Sequence, residues 1–337
     1  MNGVLIIDKP AGLTSHDVVN RVRRILGQRS VGHLGTLDPM AVGVLPLVTG
    51  NFTRLAQFYI SSEKTYEGTV RFGFCTDTYD AEGEPTSEPT NVTLNPDELE
   101  SAAAKFRGLI EQTPPPFSAK KIKGVPAYKL ARKQKEVTLQ PVQVEIKELE
   151  VLGVDVDRMR FRARVSSGTY LRSVAHDLGK ALGCGAHLET LRRTSVAEFS
   201  IAEAHTLEEL TASAGKSAGF SGARAPEGAS LQVGNAVGVA ERLSEESGTM
   251  TTTAPSPEDL KVFHELFIHP RKLLPQMPCI TADELTAGRI RAGRTVNLPE
   301  LSRARQVKVF VGQRDLIAIA TRIAGTLFHP RIVLCGT

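Results

Sequence analysis

The most informative stretch of the sequence covers residues 32–46 and reads GHLGTLDPMAVGVLP. Its glycines and prolines interrupt it too often for a helix, and its apolar residues are too many for a surface loop. A buried, irregular loop must pair its backbone groups, and loops of this kind often carry function. Asp38, near its centre, needs a cationic partner to stay ionised among apolar neighbours. Taken alone, Asp38 is better explained as the cap of a turn before Pro39; the alternative is a poised, partly desolvated carboxylate of the kind that nucleophilic catalysis requires.

The residues around this loop predict a mixture of strands and helices. Residues 4–7 read as a buried strand, and Thr14 or Ser15 can cap a helix, because apolar residues recur at helical spacing from Val18 to Leu26. Period-2 alternation predicts strands at 64–74, 142–151 and 159–165, and helical spacing predicts helices at 96–106 and 169–182. A turn at Gly153 is predicted to join the two later strands. These elements indicate a large α+β domain.

The composition changes sharply in the second half of the chain. From residue 213 to 257, 29 of 45 residues are Gly, Ala, Ser, Thr or Pro, too few large apolar side chains to offset the entropy lost on ordering. We therefore predict a catalytic domain at 1–212, a flexible insertion at 213–258, a return segment packing on the catalytic domain at 259–275, and a small strand-rich domain at 276–337.

The charge of the chain is unevenly distributed although its net value is only +4. Basic residues cluster in several places, and the arginines from Arg158 to Arg164 alternate with apolar residues, which predicts a strand with one buried and one basic face. Any single cluster is more often a solvated face. Together the clusters favour a polyanion as partner rather than a membrane.

Several classes of protein are excluded by pattern. No apolar run approaches the roughly 20 residues of a membrane span, and none forms the core of a signal peptide. The four cysteines are far apart and the eight histidines lack metal-binding spacing, so we predict no disulfide framework, no metal and a cytoplasmic location. The acidic residues Asp77, Asp80 and Glu82 have the wrong spacing for a calcium loop and are interpreted as a surface or hinge loop.

Residues 32–46 resemble the catalytic motif of the TruB family, the bacterial tRNA pseudouridine synthases. Four more motifs similar to those of the family follow in its order: Lys64-Thr65-Tyr66, the stretch 115–128, residues 167–173 with Asp177-Leu178-Gly179, and residues 183–187 with Leu191-Arg192-Arg193. The resemblance covers residues 1 to about 212, and on this joint match the chain is identified as a member of the family. It implies a pseudouridine synthase fold, an α+β fold whose mixed, largely antiparallel central sheet is flanked by helices. Residues from about 276 resemble the family's small PUA-like, β-rich C-terminal domain.

The resemblance also implies roles for individual residues. Asp38 matches the nucleophile, Arg172 the arginine that pairs with its carboxylate, and Tyr66 the aromatic that stacks on the flipped base and is a candidate base for the C5 proton. The positions that contact the substrate or line the uridine pocket are matched by His33, Tyr170 and Leu191. Each also has a structural interpretation: Tyr66 and Leu191 as core residues, Arg172 as an exposed residue at a helix start, and His33 as a turn residue.

The implied reaction is the isomerisation of uridine 55 in the T loop of tRNA to pseudouridine. It involves no redox step and no group donor, so no cofactor is expected. The target nucleotide must flip out of the stacked loop to be reached, and pocket contacts must offset the unstacking. Plausible phosphate contacts are the basic residues Arg21, Arg23, Arg24, Lys120, Lys121, Lys123 and Arg192. The chain is expected to act alone, as a monomer, on the T stem-loop.

Two other functions remain open from the sequence. One is a tRNA-folding chaperone with incidental catalysis, and the other is the catalytic subunit of a guide-RNA-dependent pseudouridine synthase. A sugar hydrolase is disfavoured because no second carboxylate is placed as a general acid.

Overall fold

The computed structural model describes residues 1–118, 120–122, 124–127, 130, 139–217, 265–300 and 302–334. In these residues the helices are α1 (Ser15–Ile25), α2 (Pro96–Ala104), α3 (Leu171–Ala181), α4 (Leu207–Ser217) and α5 (Glu284–Arg291). Short 3₁₀ segments cover Gly50–Phe58, Ile201–Glu203 and Pro270–Lys272. Helix α4 runs through the predicted boundary at residue 212. The remainder of the predicted insertion, residues 218–258, lies outside the described residues.

Nine strands form the large sheet of the described chain. They are β1 (Gly3–Lys9), β2 (Val31–His33), β3 (Val42–Thr49), β4 (Lys64–Phe72), β5 (Gly108–Gln112), β8 (Val142–Asp155), β9 (Arg158–Val165), β10 (Ala186–Val196) and β11 (Phe199–Ser200). The main order is β1-β3-β10-β4-β9-β8-β5, with β2 paired to β3 and β11 to β10. In this sheet, as far as the described residues show, only the β3–β10 pair of strands is parallel. The predicted mixed, largely antiparallel sheet is therefore confirmed.

A second sheet and a short ribbon complete the strands of the described residues. The five strands of the second sheet are β12 (Cys279–Thr281), β13 (Val296–Asn297), β14 (Gln306–Val311), β15 (Asp315–Ala324) and β16 (Leu327–Val333). The ribbon pairs β6 (Lys121–Ile122) with β7 (Val125–Pro126). The prediction of a small β-rich C-terminal part is confirmed by this second sheet.

The first helix begins where the sequence predicts it. The Thr14 hydroxyl accepts a hydrogen bond from the Asp17 amide at 3.1 Å, and the Asp17 carboxylate accepts one from the Thr14 amide at 2.9 Å. This capping box satisfies two amides that the first helical turn leaves unpaired. Val18, Val19 and Val22 then face the large core. The helix start fixes Ser15 beside the loop that follows β2, which matters for the site.

The large sheet has different neighbours on its two faces. Helices α1 to α4 pack on one face, over a core that includes residues of β4, β9 and β10. On the other face, β1 and β3 share a second core with the C-terminal sheet, where Phe310 and Ile332 meet Val4 and Phe52. The segment that re-enters at residue 265 lies along β1, since the Ile268 amide donates to the Val4 carbonyl at 2.8 Å. The two sheets are thus joined by apolar packing.

The predicted turn at Gly153 is wrong. Strand β8 continues to Asp155, and the turn is made by Val156, with φ +47°, and Asp157. Gly153 sits inside the strand opposite Arg160, beside a shift in the strand register. A Cβ there would come within 2.8 Å of the Arg160 guanidinium. This glycine therefore allows a close approach within the sheet rather than a reversal of the chain.

No helix among the described residues is long and apolar enough to cross a membrane.

Candidate active site

Asp38 lies on the loop between β2 and β3 and faces a buried cation. Its carboxylate oxygen Oδ2 is 2.9 Å from Nε of Arg172, with 36% of the Asp38 side chain exposed against 6% for Arg172. The Asp38 carbonyl also accepts a hydrogen bond from the Ala41 amide at 3.1 Å, so the residue begins a turn as the simpler interpretation predicted. Turn and ion pair are compatible, because the first uses the backbone and the second the side chain.

The guanidinium of Arg172 is held on several sides. Arg172 is the second residue of α3, and it donates to the carbonyls of Thr78 and Phe117 at 3.0 Å each. Its Nη1 also lies 3.4 Å from the carboxylate of Asp80. Arg172 is buried and is not the exposed helix-start residue of the alternative interpretation. Nε of Arg172 is buried and makes no hydrogen bond within the described residues, so its one polar neighbour there is the carboxylate of Asp38, in the ion pair.

Asp80 is a component of the site that the sequence interpretation missed. The predicted surface or hinge loop is wrong at this residue, whose side chain is 5% exposed. Its Oδ1 accepts hydrogen bonds from the Thr78 hydroxyl at 2.6 Å and the Glu82 amide at 3.1 Å. A buried carboxylate needs such compensation, and Arg172 completes it. The sequence signal was the pair of threonines, at 76 and 78, whose hydroxyls both bond to Asp80.

A third carboxylate and a lysine complete the local charge. Burial, and then the nearby carboxylates of Asp80 and Asp38, raise the pKa of Glu82 above its usual value. Burial lowers the pKa of Lys9 to about 8, and the lysine amine donates to the carbonyls of Pro39, Pro10 and Leu13. The lysine therefore ties β1 to the turn that presents Asp38.

A buried arginine holds the rest of the loop. Arg193, at the end of β10 nearest the loop, donates to the carbonyls of Gly35, Thr36 and Val44 at 2.8–3.1 Å. Ser15 adds a reciprocal pair of hydrogen bonds with the Leu37 backbone, at 2.8 and 3.1 Å. The loop's backbone groups are thus satisfied by side chains rather than by a sheet ladder, as a buried irregular loop requires.

Of the predicted pocket residues, Leu191 lines a cavity of about 650 Å³, whereas His33, Tyr66 and Tyr170 are not part of its lining. Its lining includes Leu191 together with Met40 and Glu82, each two residues after a carboxylate of the site. Tyr66 is half-buried on β4, packs against the main core, and makes no side-chain hydrogen bond within the described residues. Both structural and substrate-stacking interpretations of Tyr66 therefore remain compatible with its position.

Tyr170 and His33 are fixed by their own local contacts. Gln112 holds the backbone of Tyr170, two residues before Arg172, through two hydrogen bonds, at 2.8 and 3.1 Å. Nδ1 of His33 accepts a hydrogen bond from the Gly35 amide at 3.3 Å. Burial, and then the charge of Arg193, lower the pKa of His33, which favours a neutral ring with its proton on Nε2.

The predicted phosphate contacts fall into different environments. Arg21, Arg24 and Lys120 are exposed, and Arg192 pairs with Asp8 at 2.7 Å while remaining half-exposed. Lys121 lies in β6, and its side chain is outside the described part of the chain, as is Lys123. Arg23 instead donates to the Val31 carbonyl at 2.9 Å.

Carboxylates pair with three of the four arginines on the face of β9 predicted to be strongly basic, whereas Arg160 is exposed and has no ion pair within the described residues. Arg158 pairs with Glu189 and Asp157, Arg162 with Glu67 and Glu150, and Arg164 with Glu148 and Glu63. The alternation of buried and outward residues is confirmed. The predicted excess of positive charge on this face is largely cancelled, because nearby strands supply the acidic partners.

The described residues contain no group of three or more potential metal ligands.

Comparison with known proteins gives a consistent result. The model of the N-terminal domain of TruB family pseudouridylate synthases matches residues 23–171, and that of the C-terminal domain of tRNA pseudouridylate synthase B matches residues 172–218. A tRNA pseudouridine synthase B from Solibacter usitatus is 45% identical over 337 residues, which is 99% of this chain and 100% of the relative. One from Aquifex aeolicus is 50% identical over 215 residues, 63% of this chain and 75% of the relative.

Solved structures share the fold at lower sequence identity. The match to a Cbf5-Nop10-Gar1 complex has a TM-score of 0.64 at 22% identity, over 99% of this chain and 85% of that one. An H/ACA RNP bound to a substrate RNA containing 2′-deoxyuridine gives 0.64 at 21% identity, over 99% and 85%. These likenesses extend the agreement in fold to both sheets.

Proposed function

This chain belongs to the TruB family of pseudouridylate synthases, and from that premise we propose that it converts uridine 55 in the T loop of tRNA to pseudouridine. The observation that carries the proposal is the ion pair of Asp38 with Arg172, on a loop whose Met40 lines the same cavity as Leu191. The relative from Solibacter usitatus, all of which this chain covers, is named tRNA pseudouridine synthase B. The position of the uridine in the tRNA is our inference.

In this reaction the bond between N1 of uracil and C1′ of ribose breaks, the base turns, and a bond from C5 to C1′ forms. The proton on C5 is lost and N1 gains one, so that atoms and electrons balance without a cofactor. Asp38 serves as the nucleophile, and its partial exposure leaves one side of the carboxylate open to the substrate. Arg172 places a buried positive charge beside this carboxylate, with Nε 2.9 Å from its Oδ2.

The flipped uridine would enter the cavity beside the ion pair. In this proposal Leu191, which lines the cavity, and Tyr170 contact the uridine. Tyr66 stacks on the base and is the candidate acceptor of the C5 proton, and the neutral His33 offers its Nε2 proton to the RNA. Stacking on an aromatic side chain and hydrogen bonds offset the free energy of unstacking, about a few kcal/mol. Exposed arginines and Lys120 bind phosphates of the T stem, and the protein acts without a protein partner.

The decisive experiment measures tritium release from C5-labelled uridine in an unmodified tRNA transcript. Wild type is compared with Asp38→Asn, which keeps the side-chain shape, and a transcript with cytidine at position 55 serves as the substrate control. We expect release by wild type from the uridine-55 transcript alone and none by Asp38→Asn, with tRNA binding retained. Release from the control transcript would contradict the proposed position, and equal release by both proteins would contradict the role of Asp38. Binding without any release by wild type would favour the chaperone or the guide-dependent alternative.

A further inference from the structure

Tyr79 lies between the two residues of one loop that contact Arg172. The carbonyl of Thr78 accepts a hydrogen bond from Nη1 of Arg172, and the carboxylate of Asp80 lies 3.4 Å from the same nitrogen. The carbonyl of Tyr79 itself accepts from the Leu188 amide at 3.0 Å. The segment 78–80 therefore forms one wall around the guanidinium, and any displacement of it moves both contacts at once.

The backbone of Tyr79 is in an unfavourable conformation. Its φ is +66°, in the left-handed region. For a residue with a Cβ this region costs roughly 1–2 kcal/mol, a cost that glycine does not carry. Such conformations persist where surrounding contacts determine them, and they concentrate at functional sites. Glycine would make the same backbone bonds without strain, so what a tyrosine adds at this position is the contact of its side chain.

That contact is a stack on His176. The two rings lie 3.8 Å apart between centroids and are inclined by 10°. His176 is on α3, four residues after Arg172, and residues four apart share one face of a helix. Burial lowers the pKa of His176, which favours the neutral ring in the stack. Helix α3 thus carries both Arg172 and the His176 ring, and segment 78–80, which contacts Arg172, packs on that ring through Tyr79.

We propose that Tyr79 and His176 are positioning residues, whose stack fastens segment 78–80 to α3 and so keeps the Arg172 guanidinium directed at Asp38. The inference rests on the proposed function for its kinetic consequence, but its structural content is independent of that function. Neither ring touches the reacting atoms. Loss of the stack frees Thr78 and Asp80 to move away, and Arg172 then loses two of the contacts that fix its orientation.

The test uses substitutions at Tyr79 that distinguish the effect of the stacked ring from the effect of the strained backbone. Tyr79→Phe keeps the stack, whereas Tyr79→Gly removes it and relieves the strain of positive φ. A matched control is Val156→Gly, which relieves another positive φ, of +47°, in the turn between β8 and β9. In single turnover we expect Tyr79→Gly to lower the rate of pseudouridine formation at least tenfold, with the melting temperature and tRNA affinity near those of wild type. Tyr79→Phe and Val156→Gly should remain within twofold of wild type.

A pairwise test and a structural readout complete the design. His176→Ala should slow the reaction as Tyr79→Gly does, and the double variant should be no slower than either. Hydrogen exchange at the amides of Ala81 and Glu82, which donate to Leu188 and Asp80, should accelerate in Tyr79→Gly and His176→Ala only. A wild-type rate in Tyr79→Gly, an equally slow Tyr79→Phe, or unchanged exchange in Tyr79→Gly would each overturn the inference. Inactive wild-type protein would refute the proposed function alone, because hydrogen exchange still decides the role of the stack.

Discussion

At the scale of single residues, Arg193 shows how the catalytic loop is held. It is a fully buried guanidinium whose bonds go to backbone carbonyls at both ends of the loop, Gly35 and Thr36 before Asp38 and Val44 after it. Its planar fork reaches all three acceptors at once, which a lysine amine at the end of a flexible stem does less well. In the sequence Arg193 appears in the motif Leu191-Arg192-Arg193, with no role of its own. Its burial shows that it serves the loop and not a solvent-facing basic surface.

We therefore expect Arg193→Met to be strongly destabilising. Removing the guanidinium leaves three buried carbonyls unpaired, at roughly 1–3 kcal/mol for each buried group left without a partner, so that the free energy of unfolding falls by about 3 kcal/mol or more. Arg193→Lys should lose less. Urea unfolding followed by circular dichroism measures both. Arg162→Met, at an exposed ion pair, is the control and should cost under about 1 kcal/mol. A loss below that level for Arg193→Met would show that the loop does not depend on this side chain.

At the scale of secondary-structure elements, β9 shows that alternation predicts which residues are buried but not the charge of the exposed face. Alternation in the sequence correctly predicts which of its residues are buried. The electrostatic character of its outer face depends on β4, β8 and β10, whose glutamates lie opposite the arginines. Exposed pairs of this kind contribute little stability, but they neutralise a surface that would otherwise attract RNA. Arg21 and Arg24 of α1 are exposed and make no ion pair in the part of the chain that the structure describes, so they are the better candidates for phosphate contacts.

The dependence of tRNA affinity on salt distinguishes these two sets of arginines. Each phosphate contact contributes about 0.7–0.9 to the magnitude of the slope of log affinity against log salt. Arg24→Ala should reduce the slope by about this amount, because Arg24 is exposed and makes no ion pair within the described residues. Arg162→Ala should leave the slope unchanged. Filter binding of the tRNA transcript from low to moderate salt gives both slopes, and a larger change for Arg162→Ala would contradict the assignment.

At the scale of the whole molecule, the two sheets share a core. The C-terminal sheet turns Phe310 toward β1 and β3, whereas Phe328 faces a separate core within the C-terminal sheet. A hydrogen-bond network adds to the contact between the catalytic part of the chain and the segment that leads to the C-terminal sheet. The Tyr59 hydroxyl and the Leu274 amide both donate to Glu198, at 2.6 and 2.8 Å. The C-terminal sheet is thus packed against the catalytic sheet rather than only connected to it by the chain.

Two phenylalanine substitutions test this coupling. Phe310→Ala and Phe328→Ala should each cost about 3–5 kcal/mol, because both side chains are fully buried. Only Phe310→Ala removes packing from the catalytic sheet as well. We therefore expect differential scanning calorimetry to show a lower melting temperature for the catalytic sheet in Phe310→Ala, and in Phe328→Ala a separate early transition of the C-terminal sheet. Equal effects on the catalytic sheet would argue against the shared core.

The sequence by itself determined the elements and the family. Helical and alternating periodicities gave the position of β1, β4, β9, α1, α2 and α3, because each is set by which side of a local segment is apolar. Motif order identified the family, and the motifs supplied Asp38 and Arg172, which the structure brings together at 2.9 Å. Boundaries were less certain. Gly153 was taken for a turn because a glycine in a strand signals either a reversal or a close approach, and only the facing Arg160 distinguishes the two.

Only the tertiary structure decided how charges are paired. It placed Asp80 against Arg172, set glutamates opposite the arginines of β9, buried Arg193 beneath the catalytic loop, and stacked Tyr79 on His176. The physical reason is the same in each case. Periodicity reports the environment along one segment, whereas the pKa of a carboxylate, the charge of a face and the strain of a backbone depend on partners distant in sequence. Those partners become neighbours only when the sheet order is established.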